Sequence, residues 1–457
     1  MKKIQILQIN DVHGYIKEHD EYFFTKDGIE YKKAGGYSRI KTVIETAQKE
    51  GPVLALDGGD TFHGTKPVVK SKGEILIPIL NHLELDGMSG HWDFAYGPKH
   101  LKHLVSKLNY PFLSCNVYNK DDDSLTFDAY KIIEKGDLSI LVIGLSATII
   151  DKTMPDNFSE GIYLTDGLDE VNALSEKYRD EVDLIVVNSH MGYPQDVHLA
   201  SNTKGVDVWL SAHTHNRLYE PTYINDTVLI QSGSNGSFIG KLEITLDEDV
   251  KYISHELIVL DEKIEKSASM LAVIDTLDLD EDLSVVGKTE LPLARKEVLN
   301  SDLDALLLEA ICKASKTNIA FSNGWRYGPV ILKGEISKDD IINMIPMNPD
   351  IMKVTLTGQE IKDMLEENIE RTFSSDPMSQ MGGYLKRVFG LKGRRIQEIY
   401  TQDAPLIYDQ SYQVSYITQQ GVSKKYGQDH TNTKIKAQDA LLAYLKKEVF
   451  KKESNTL

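Results

Sequence analysis

The sequence predicts a layered α/β fold built as two domains. The chain has 457 residues, which is more than one hydrophobic core usually organises. Short apolar strands alternate with amphipathic helices through the first 255 or so residues, and a second α/β pattern begins after Leu291. A stretch rich in Lys, Asp and Glu separates the two patterns, so a domain boundary is predicted there.

The first predicted domain covers residues 1–260. Its strands are short β-branched and leucine-rich runs that end in small or polar residues: Ile4–Ile9, Val53–Asp57, Tyr110–Asn116, Ser139–Leu145, Asp183–Ser189, Asp207–Leu210 and Val228–Ser232. Helices are predicted at Tyr37–Lys49 and Gly167–Asp180, where apolar residues recur at helical spacing. Buried strands that alternate with helices indicate sheets covered by helices.

Residues 261–290 are predicted to connect the domains, with a helix at Ile264–Leu277. The second predicted domain covers residues 291–457. Its predicted helices are Asp302–Ser315, Lys338–Met344, Gln359–Arg371 and Ala437–Lys452, and its predicted strands are Asn318–Asn323, Ile351–Thr357 and Tyr412–Thr418.

The chain is acidic, since 51 Lys and Arg against 69 Asp and Glu give a formal charge of −18. This charge repels nucleic acid and anionic membranes, so neither is a predicted partner, and no obligate protein partner is evident. Met1–Asn10 alternates like a strand and lacks the features of a signal peptide, and the other apolar runs are too short to span a bilayer. Because the only cysteines are Cys115 and Cys312, the predicted location is the cytoplasm.

Residues suited to metal binding collect just after the predicted strands of the first domain. They form five segments: Asp11-Val12-His13, Gly58-Gly59-Asp60, Gly90-His91-Trp92-Asp93, Asn188-Ser189-His190 and Ala212-His213-Thr214-His215. Loops that follow the carboxyl ends of strands are where open α/β sheets hold their sites. Imidazole and carboxylate groups suit zinc, manganese or iron, and the lack of thiolates argues against a structural zinc site.

The spacing within these segments predicts how the ions are held. In Asp-x-His and His-x-His the two side chains lie on the same face of an extended segment, so each pair can bind one ion. The carboxylate of Asp60 has the charge and the two oxygens needed to bridge two ions about 3.5–4 Å apart. A single segment of this kind is usually structural, but five in order predict a site for two divalent cations.

The five segments, in this order, resemble the signature of calcineurin-like metallophosphoesterases. The second domain resembles the C-terminal substrate domain of 5′-nucleotidases through Asn323-Gly324-Trp325-Arg326, Gly334-Glu335-Ile336-Ser337, Ile345-Pro346-Met347-Asn348, Thr357-Gly358-Gln359-Glu360 and Leu365-Glu366. The resemblance implies a four-layer β-sandwich flanked by helices, followed by an α/β 5′-nucleotidase-type domain. It implies that one ion is bound by Asp11, His13, Asp60 and His215, and the other by Asp60, His91, His190 and His213.

The implied activity is hydrolysis of a small phosphate ester, with a hydroxide that bridges the two ions as nucleophile. The expected substrate is a nucleotide, of the 5′-nucleotide or 2′,3′-cyclic type, and the expected ions are Mn²⁺, Zn²⁺ or Fe. The resemblance places substrate contacts at Arg326, Asn323, Arg295 and Asn348.

One motif departs from the family. Where relatives have Gly-Asn-His-Glu-Phe-Asp-Tyr-Gly, this chain has Gly90-His91-Trp92-Asp93-Phe94-Ala95-Tyr96-Gly97. The metal-binding Asn is thus His91, the catalytic histidine is Trp92, and the aspartate that orients it is Ala95. An indole cannot deliver a proton, so the acid for the leaving group is unknown and His63 is one candidate. We therefore expect a preference for good leaving groups.

Two alternatives stay open. The Gly-His-Trp-acid-Phe motif is similar to that of the thiosulfohydrolases of bacterial sulfur oxidation, which suggests a sulfate-releasing hydrolase, although no export signal is recognised. The other alternative is a non-catalytic module that binds a metal or a ligand. Retention of all seven candidate metal ligands argues against it, whereas Trp92 and Ala95 argue for it.

Overall fold

The protein is described from a computed structural model. The described residues are 1–247, 250–296, 301–324, 328, 330–380, 386–394, 398–401 and 404–451. The chain divides into two compact units. The first consists of Met1–His19 and Lys32–Leu279, and the second of Asp20–Tyr31 and Asp280–Leu457.

Strands and helices alternate up to residue 279. The strands are β1 (Lys2–Ile9), β2 (His19–Thr25), β3 (Gly28–Ala34), β4 (Val53–Asp57), β5 (Gly87–Met88), β6 (Val117–Asn119), β7 (Tyr130–Lys135), β8 (Leu138–Leu145), β9 (Ile162–Leu164), β10 (Leu184–Ser189), β11 (Val208–Ser211), β12 (Thr222–Ile224), β13 (Thr227–Gln231), β14 (Phe238–Asp247) and β15 (Val250–Val259). The helices are α1 (Tyr37–Glu50), α2 (Lys66–Lys70), α3 (Ile77–Leu83), α4 (Pro98–Val105), α5 (Leu168–Tyr178), α6 (Tyr193–Ser201) and α7 (Ala268–Ile274).

Two sheets of the first unit pack face to face. One has the order β15-β14-β1-β4-β5 and the other the order β12-β13-β11-β10-β8-β7. Alternate residues of the strands, such as Ile4 and Ile6 of β1 and Ile140 and Val142 of β8, form one buried cluster, because neighbouring side chains of a strand point to opposite faces. Helix α1 contacts β4, helix α5 contacts β8, and helix α6 contacts β11. The predicted layered α/β fold is therefore confirmed.

The parallel strands set the position of the site. In the first sheet β4 runs parallel to both β1 and β5. In the second sheet β8, β10, β11 and β13 run parallel to one another. The carboxyl ends of parallel strands lie at the same edge of a sheet, so the loops that follow these strands gather together.

The strand predicted at Tyr110–Asn116 is not formed, which corrects that prediction. The segment is apolar and extended, but its backbone hydrogen bonds go to three separate parts of the chain. Leu113 N donates to Met88 O, Ser114 N donates to Asp128 O, and Cys115 N donates to Gly144 O. A segment that changes partner at each residue buries apolar side chains as a strand does, without forming a ladder with one neighbour.

A second α/β arrangement follows residue 280. Its strands are β16 (Val285–Thr289), β17 (Ile319–Ser322), β18 (Gly334–Ser337), β19 (Asp350–Thr357), β20 (Arg387–Phe389), β21 (Leu391–Arg394), β22 (Glu398–Thr401), β23 (Ser411–Tyr416) and β24 (Gln428–Lys436). Its helices are α8 (Asp302–Ser315), α9 (Lys338–Met344), α10 (Gly358–Thr372), α11 (Thr418–Gly421) and α12 (Ala437–Leu445). The main sheet has the order β20-β17-β23-β19-β24, and α8 and α10 pack on it.

Local sequence accounts for the helix starts in the second unit. Ser337 begins α9 with a reciprocal capping box to Asp340, and Thr357 begins α10 with the same arrangement to Glu360. Helix α12 ends at Leu445, earlier than the predicted end at residue 452. The predicted connector is divided, since α7 belongs to the first unit and β16 to the second.

Two further predictions concern the environment of the chain. Cys115 and Cys312 are both buried free thiols, as predicted. Among the described residues, every helix is too short or too polar to cross a membrane. The cellular compartment stays a prediction.

Candidate metal centre

The seven predicted ligands lie in five loops at the carboxyl ends of strands from both sheets. Asp11 and His13 follow β1, Asp60 follows β4, His91 follows β5, His190 follows β10, and His213 and His215 follow β11. Six of the seven are buried, and the side chain of His215 is 12% exposed. The fold thus brings together residues that are up to about 200 positions apart in the sequence.

The seven side chains form two groups that share Asp60. One group is Asp11, His13, Asp60 and His215, and the other is Asp60, His91, His190 and His213. Within each group the candidate ligand atoms all lie within 4.8 Å of one another. The Oδ2 atom of Asp60 lies 3.6 Å from His13 Nε2 in the first group. Its Oδ1 atom lies 3.3 Å from His190 Nε2 and 3.5 Å from His91 Nδ1 in the second group.

Hydrogen bonds outside the groups orient several of these atoms. His190 Nδ1 donates to the Gly58 carbonyl at 2.5 Å, and His13 Nδ1 lies 3.3 Å from the His63 carbonyl. A carbonyl oxygen can only accept a hydrogen bond, so Nδ1 of each ring carries the proton. Nε2 of each ring therefore keeps its lone pair for a cation. Asp11 Oδ2 accepts hydrogen bonds from Asn10 Nδ2 at 2.7 Å and from His213 N at 3.0 Å. The other Asp11 oxygen therefore faces the site.

Two buried atoms of the site support this assignment. Asp11 Oδ1 and His190 Nε2 are both buried, and neither makes a hydrogen bond to the described residues. Leaving such atoms unpaired costs free energy, so they are expected to bind another group. Carboxylate oxygens and imidazole nitrogens without thiolates are the ligands of divalent zinc, manganese or iron, and the set therefore fits two candidate metal sites.

The backbone of the site is strained. Five of the seven residues have φ between 51° and 72°: Asp11, His13, Asp60, His213 and His215. Residues other than glycine rarely adopt this left-handed conformation, which costs about 1–3 kcal/mol each and persists only where the surroundings impose it. Residues with a strained backbone cluster at functional sites, where the surrounding structure fixes the ligand side chains before a cation binds.

Charge within the site favours cation binding. Burial alone would raise the pKa of Asp60, but the neighbouring His190 and His91 outweigh it and hold the pKa well below its usual range. Burial alone would lower the pKa of His190, but Asp60 and Asp11 raise it to about 10. The two carboxylates that stabilise positive charge on His190 would equally stabilise a divalent cation at this position.

Two family models match the chain. The calcineurin-like phosphoesterase model matches residues 4–217, which include all seven candidate ligands. The model of the 5′-nucleotidase C-terminal domain matches residues 282–421. The chain belongs to the 5′-nucleotidase family, with a calcineurin-like phosphoesterase domain followed by a 5′-nucleotidase C-terminal domain.

Individual relatives agree with this family. The trifunctional nucleotide phosphoesterase YfkN of Bacillus subtilis is 23% identical over 420 residues, which cover 79% of this chain and 28% of YfkN. The chain therefore spans less than a third of that relative's own length. The sulfate thiohydrolase SoxB of Thermus thermophilus has a TM-score of 0.87 and 22% identity, with 97% of this chain and 94% of SoxB covered. A 5′-nucleotidase precursor of Thermus thermophilus has a TM-score of 0.84 and 20% identity, with 98% of this chain and 96% of the precursor covered.

In this 5′-nucleotidase family member, Trp92 and Ala95 stand where the family resemblance leads us to expect a histidine and an aspartate. Trp92 lies in a 3-10 turn, Trp92–Tyr96, and its backbone N donates to Asp60 Oδ1 at 2.7 Å. Its ring stacks on His63 at 4.7 Å between centroids and meets Phe158 edge-on at 5.4 Å. Ala95 is buried and carries no polar group. The backbone of Trp92 thus contacts the shared carboxylate, while its indole packs against His63 and Phe158.

His63 lies beside the candidate centre, in contact with Trp92 and His13. Burial lowers the pKa of His63 to about 3, so its imidazole is neutral at neutral pH. A neutral imidazole can donate a hydrogen bond, but it does not supply the proton of an imidazolium. The role of His63 as the acid stays a prediction, and burial counts against it.

Sequence reasoning did not single out the function of Asp93. Its buried carboxylate accepts four backbone N–H groups, from Asp60 at 2.9 Å, Thr61 at 3.0 Å, Phe62 at 2.9 Å and His91 at 3.1 Å. One side chain thus fixes both the loop that carries Asp60 and the loop that carries His91. The sequence feature that could have pointed to Asp93 is its place two positions after the candidate ligand His91, in a segment with a glycine at each end.

Three of the four predicted substrate contacts lie among the described residues of the second unit. Arg295 is buried, where its Nε donates to Asp304 Oδ1 at 2.9 Å and its Nη1 donates to Met344 O at 3.1 Å. Asn348 follows α9, and its Oδ1 accepts from Gln438 N at 3.0 Å. Asn323 lies at the end of β17, where its Oδ1 accepts from Thr418 Oγ1 at 3.0 Å.

The fourth predicted contact, Arg326, lies outside the described residues. Arg295 and Asn348 both lie close to the end of α9, since Arg295 bonds to Met344 and Asn348 N donates to Ile345 O. Asn323 directly follows β17, whose last residue Ser322 pairs with Arg387, and Arg387 Nε donates to the same Asp304 carboxylate that Arg295 binds. Their roles in substrate binding stay predictions.

Proposed function

We propose that this 5′-nucleotidase family member hydrolyses a small phosphate ester, with a nucleotide as the expected substrate, and that it uses two divalent cations. The observation that carries this proposal is the shared carboxylate of Asp60, whose two oxygens face two different groups of ligands. Mn²⁺, Zn²⁺ and Fe are the candidate ions for such ligands. The family of the chain supports a phosphate ester as substrate.

The seven candidate ligands would hold the two cations. Bound there, the ions would acidify a water molecule into a nucleophile and offset the charge of the phosphoryl oxygens. The buried side chains around them hold the ligand atoms in place, so little rearrangement is needed when the substrate binds. The negative charge of Asp60, which belongs to both groups of ligands, would offset the repulsion between two cations bound close together.

In the second unit, Arg326, Arg295, Asn323 and Asn348 are the proposed substrate contacts. An acidic chain needs a local cation to attract an anionic substrate, and arginine can bind a phosphate or carboxylate through two N–H groups. Arg295 already holds Asp304, so a substrate would have to share its guanidinium.

The leaving group is expected to matter more than in relatives that keep the histidine and the aspartate. Trp92 and Ala95 supply no acid, and His63 is neutral, so the leaving oxygen gains little help from a proton donor. General acid catalysis is worth about 10²–10⁴-fold, mostly for poor leaving groups. We therefore expect an aryl phosphate to be hydrolysed at least about 10²-fold faster than 5′-AMP, measured as kcat/KM with Mn²⁺ present.

A panel of substrates also distinguishes the alternatives. Similar kcat/KM values for 5′-AMP and the aryl phosphate would contradict the proposed leaving-group preference. Release of sulfate from a thiosulfate adduct, without hydrolysis of any phosphate ester, would favour a thiosulfohydrolase, which the Gly90-His91-Trp92-Asp93 motif also suggests. Two bound ions with no turnover of any substrate in the panel, which also includes cyclic nucleotides and nucleotide sugars, would favour a non-catalytic module.

A further inference from the structure

The buried carboxylate of Asp196 joins two strands, each of which is followed by candidate ligands. It lies in the first turn of α6 and is fully buried. Its Oδ1 accepts a hydrogen bond from Ser189 Oγ at 2.5 Å, and its Oδ2 accepts one from Ser211 Oγ at 2.5 Å. Ser189 is the last residue of β10 and directly precedes His190, and Ser211 is the last residue of β11. One carboxylate therefore ties the carboxyl ends of β10 and β11 together.

Two more hydrogen bonds strengthen this connection. The indole Nε1 of Trp209 donates to Asp196 Oδ1 at 2.8 Å, so the carboxylate has three donors. The hydroxyl of Ser189 also accepts from Met191 N at 3.2 Å, which ties the residue after His190 to the residue before it. The backbone on both sides of His190 is thus linked to Asp196.

Gln231 makes a similar connection around the other two histidines. It is the last residue of β13 and is fully buried. Its Nε2 donates to Ser211 Oγ at 2.9 Å and to Ala212 O at 2.6 Å. Its Oε1 accepts from Thr214 Oγ1 at 3.1 Å and from Asn216 N. A single amide group thus brackets the segment that carries His213 and His215.

The same network continues to β1. Gln8 Nε2 donates to Ser211 O at 2.7 Å, and Gln8 Oε1 accepts from Ser232 Oγ at 2.7 Å. Asn10 Oδ1 accepts from Ser232 N at 3.2 Å, and Asn10 Nδ2 donates to Asp11 Oδ2 at 2.7 Å. Buried polar side chains therefore form a connected path from Asp196 to Asp11, behind the candidate ligands.

We infer that Asp196 and Gln231 are positioning residues that preset His190, His213 and His215 for cation binding. Both act through their neighbours, since their hydrogen bonds go to the residues that flank these histidines. His213 and His215 have φ of 72° and 59°, which the surroundings must impose, and the four hydrogen bonds of Gln231 surround them. This inference rests on the proposed function, because it assumes that these histidines bind cations.

The inference predicts a change in metal affinity. Outer partners of metal ligands typically contribute 10–100-fold to affinity. In the Asp196→Asn variant one oxygen becomes an NH₂ group, which cannot accept from a hydroxyl or an indole, while the shape of the side chain is kept. We expect the Kd for Mn²⁺ to rise about 10–100-fold.

The matched control is Asp207→Asn, at the opposite end of the same strands. Asp207 Oδ2 accepts from Arg179 Nη1 and from Ile185 N, both at 2.7 Å, so it also joins β10 to β11. It lies at the amino ends of the strands, far along the sheet from the loops that carry the histidines. This variant is expected to lower thermal stability and to keep the wild-type Kd for Mn²⁺.

The experiment uses the full chain, with calorimetric titration of Mn²⁺ and the absorption spectrum of the Co²⁺-loaded protein as readouts. Ser211→Ala is a milder second variant, which removes the hydroxyl shared by Asp196 and Gln231 and is useful if Asp196→Asn does not fold. We expect both variants to weaken Mn²⁺ binding and to change the Co²⁺ spectrum, which a purely structural role would leave unchanged.

Four results would overturn the inference. The first is that the variants that fold have the Kd and the Co²⁺ spectrum of the wild type, and the second is that neither variant folds. The third is that the Asp207→Asn control loses as much Mn²⁺ affinity as the variants. The fourth is that the wild-type chain binds no ion. The last result would also overturn the proposed function. If the wild type binds two ions and the variants match it, only this inference fails.

Discussion

Replacing Asp60 by asparagine is expected to lower kcat/KM for the best phosphate ester at least about a thousandfold, or about 4 kcal/mol of transition-state stabilisation. The two oxygens of Asp60 face different groups of ligands, at 3.6 Å from His13 and 3.3 Å from His190. The amide keeps the size of the side chain but removes its charge and one of its two acceptor oxygens. At most one of the two proposed cations could then keep an oxygen ligand at this position, so the shared carboxylate would be lost.

Steady-state kinetics with added Mn²⁺ measures this effect. The matched control is Asp86→Asn, because Asp86 accepts from Ala55 N at 2.9 Å in the middle of β4, pairs with Lys135 and belongs to neither group of candidate ligands. The control is expected to keep the wild-type kcat/KM. An Asp60→Asn variant that folds and keeps more than about a tenth of the activity would contradict a role for Asp60 in both sites.

Restoring the family's histidine and aspartate is expected to have the second large effect. Trp92 and Ala95 are three residues apart in a 3-10 turn, where side chains at i and i+3 lie above one another. The double substitution Trp92→His with Ala95→Asp would place an imidazole and the carboxylate that orients it on the same side of the turn. We expect kcat/KM for 5′-AMP to rise about 10²–10⁴-fold relative to that for an aryl phosphate.

The ratio of the two kcat/KM values is the readout, because it cancels changes in metal content that affect both substrates. Trp92→His alone is the control, and it is expected to give a smaller gain, since an imidazole without its carboxylate lacks a fixed tautomer and orientation. An unchanged ratio in a double variant that still binds its metal ions would contradict the argument that a missing acid limits the hydrolysis of alkyl esters.

The candidate centre could be located from the sequence because each ligand follows a strand within a few residues. Apolar runs such as Val53–Asp57 mark the strands, and parallel strands bring their carboxyl ends to one edge, so Asp11 and Asp60 could be expected to meet. The meeting of Asp60 with His190 depends on how the two sheets pack, which the strand pattern does not reveal. Periodicity also located helices α8 and α9 with the bounds that the structure has.

The supporting residues could not be predicted in this way. Asp93 acts through backbone N–H groups about 30 positions away, and Asp196 acts through Ser189 and Ser211 on two different strands. Such hydrogen bonds depend on tertiary structure and leave no periodic pattern in the sequence. The strand expected at Tyr110–Asn116 failed for a related reason, because apolar composition does not reveal which neighbours a segment bonds to.

Counting the bound ions tests most directly whether Asp60 joins two metal sites. The measurement is the number of Mn²⁺ ions retained per chain after dialysis against Mn²⁺ and removal of the excess, in the wild type and in Asp60→Asn. We expect two ions per wild-type chain and at most one in the variant. A wild-type chain that retains one ion or none, or a variant that still retains two, would contradict a shared role for Asp60.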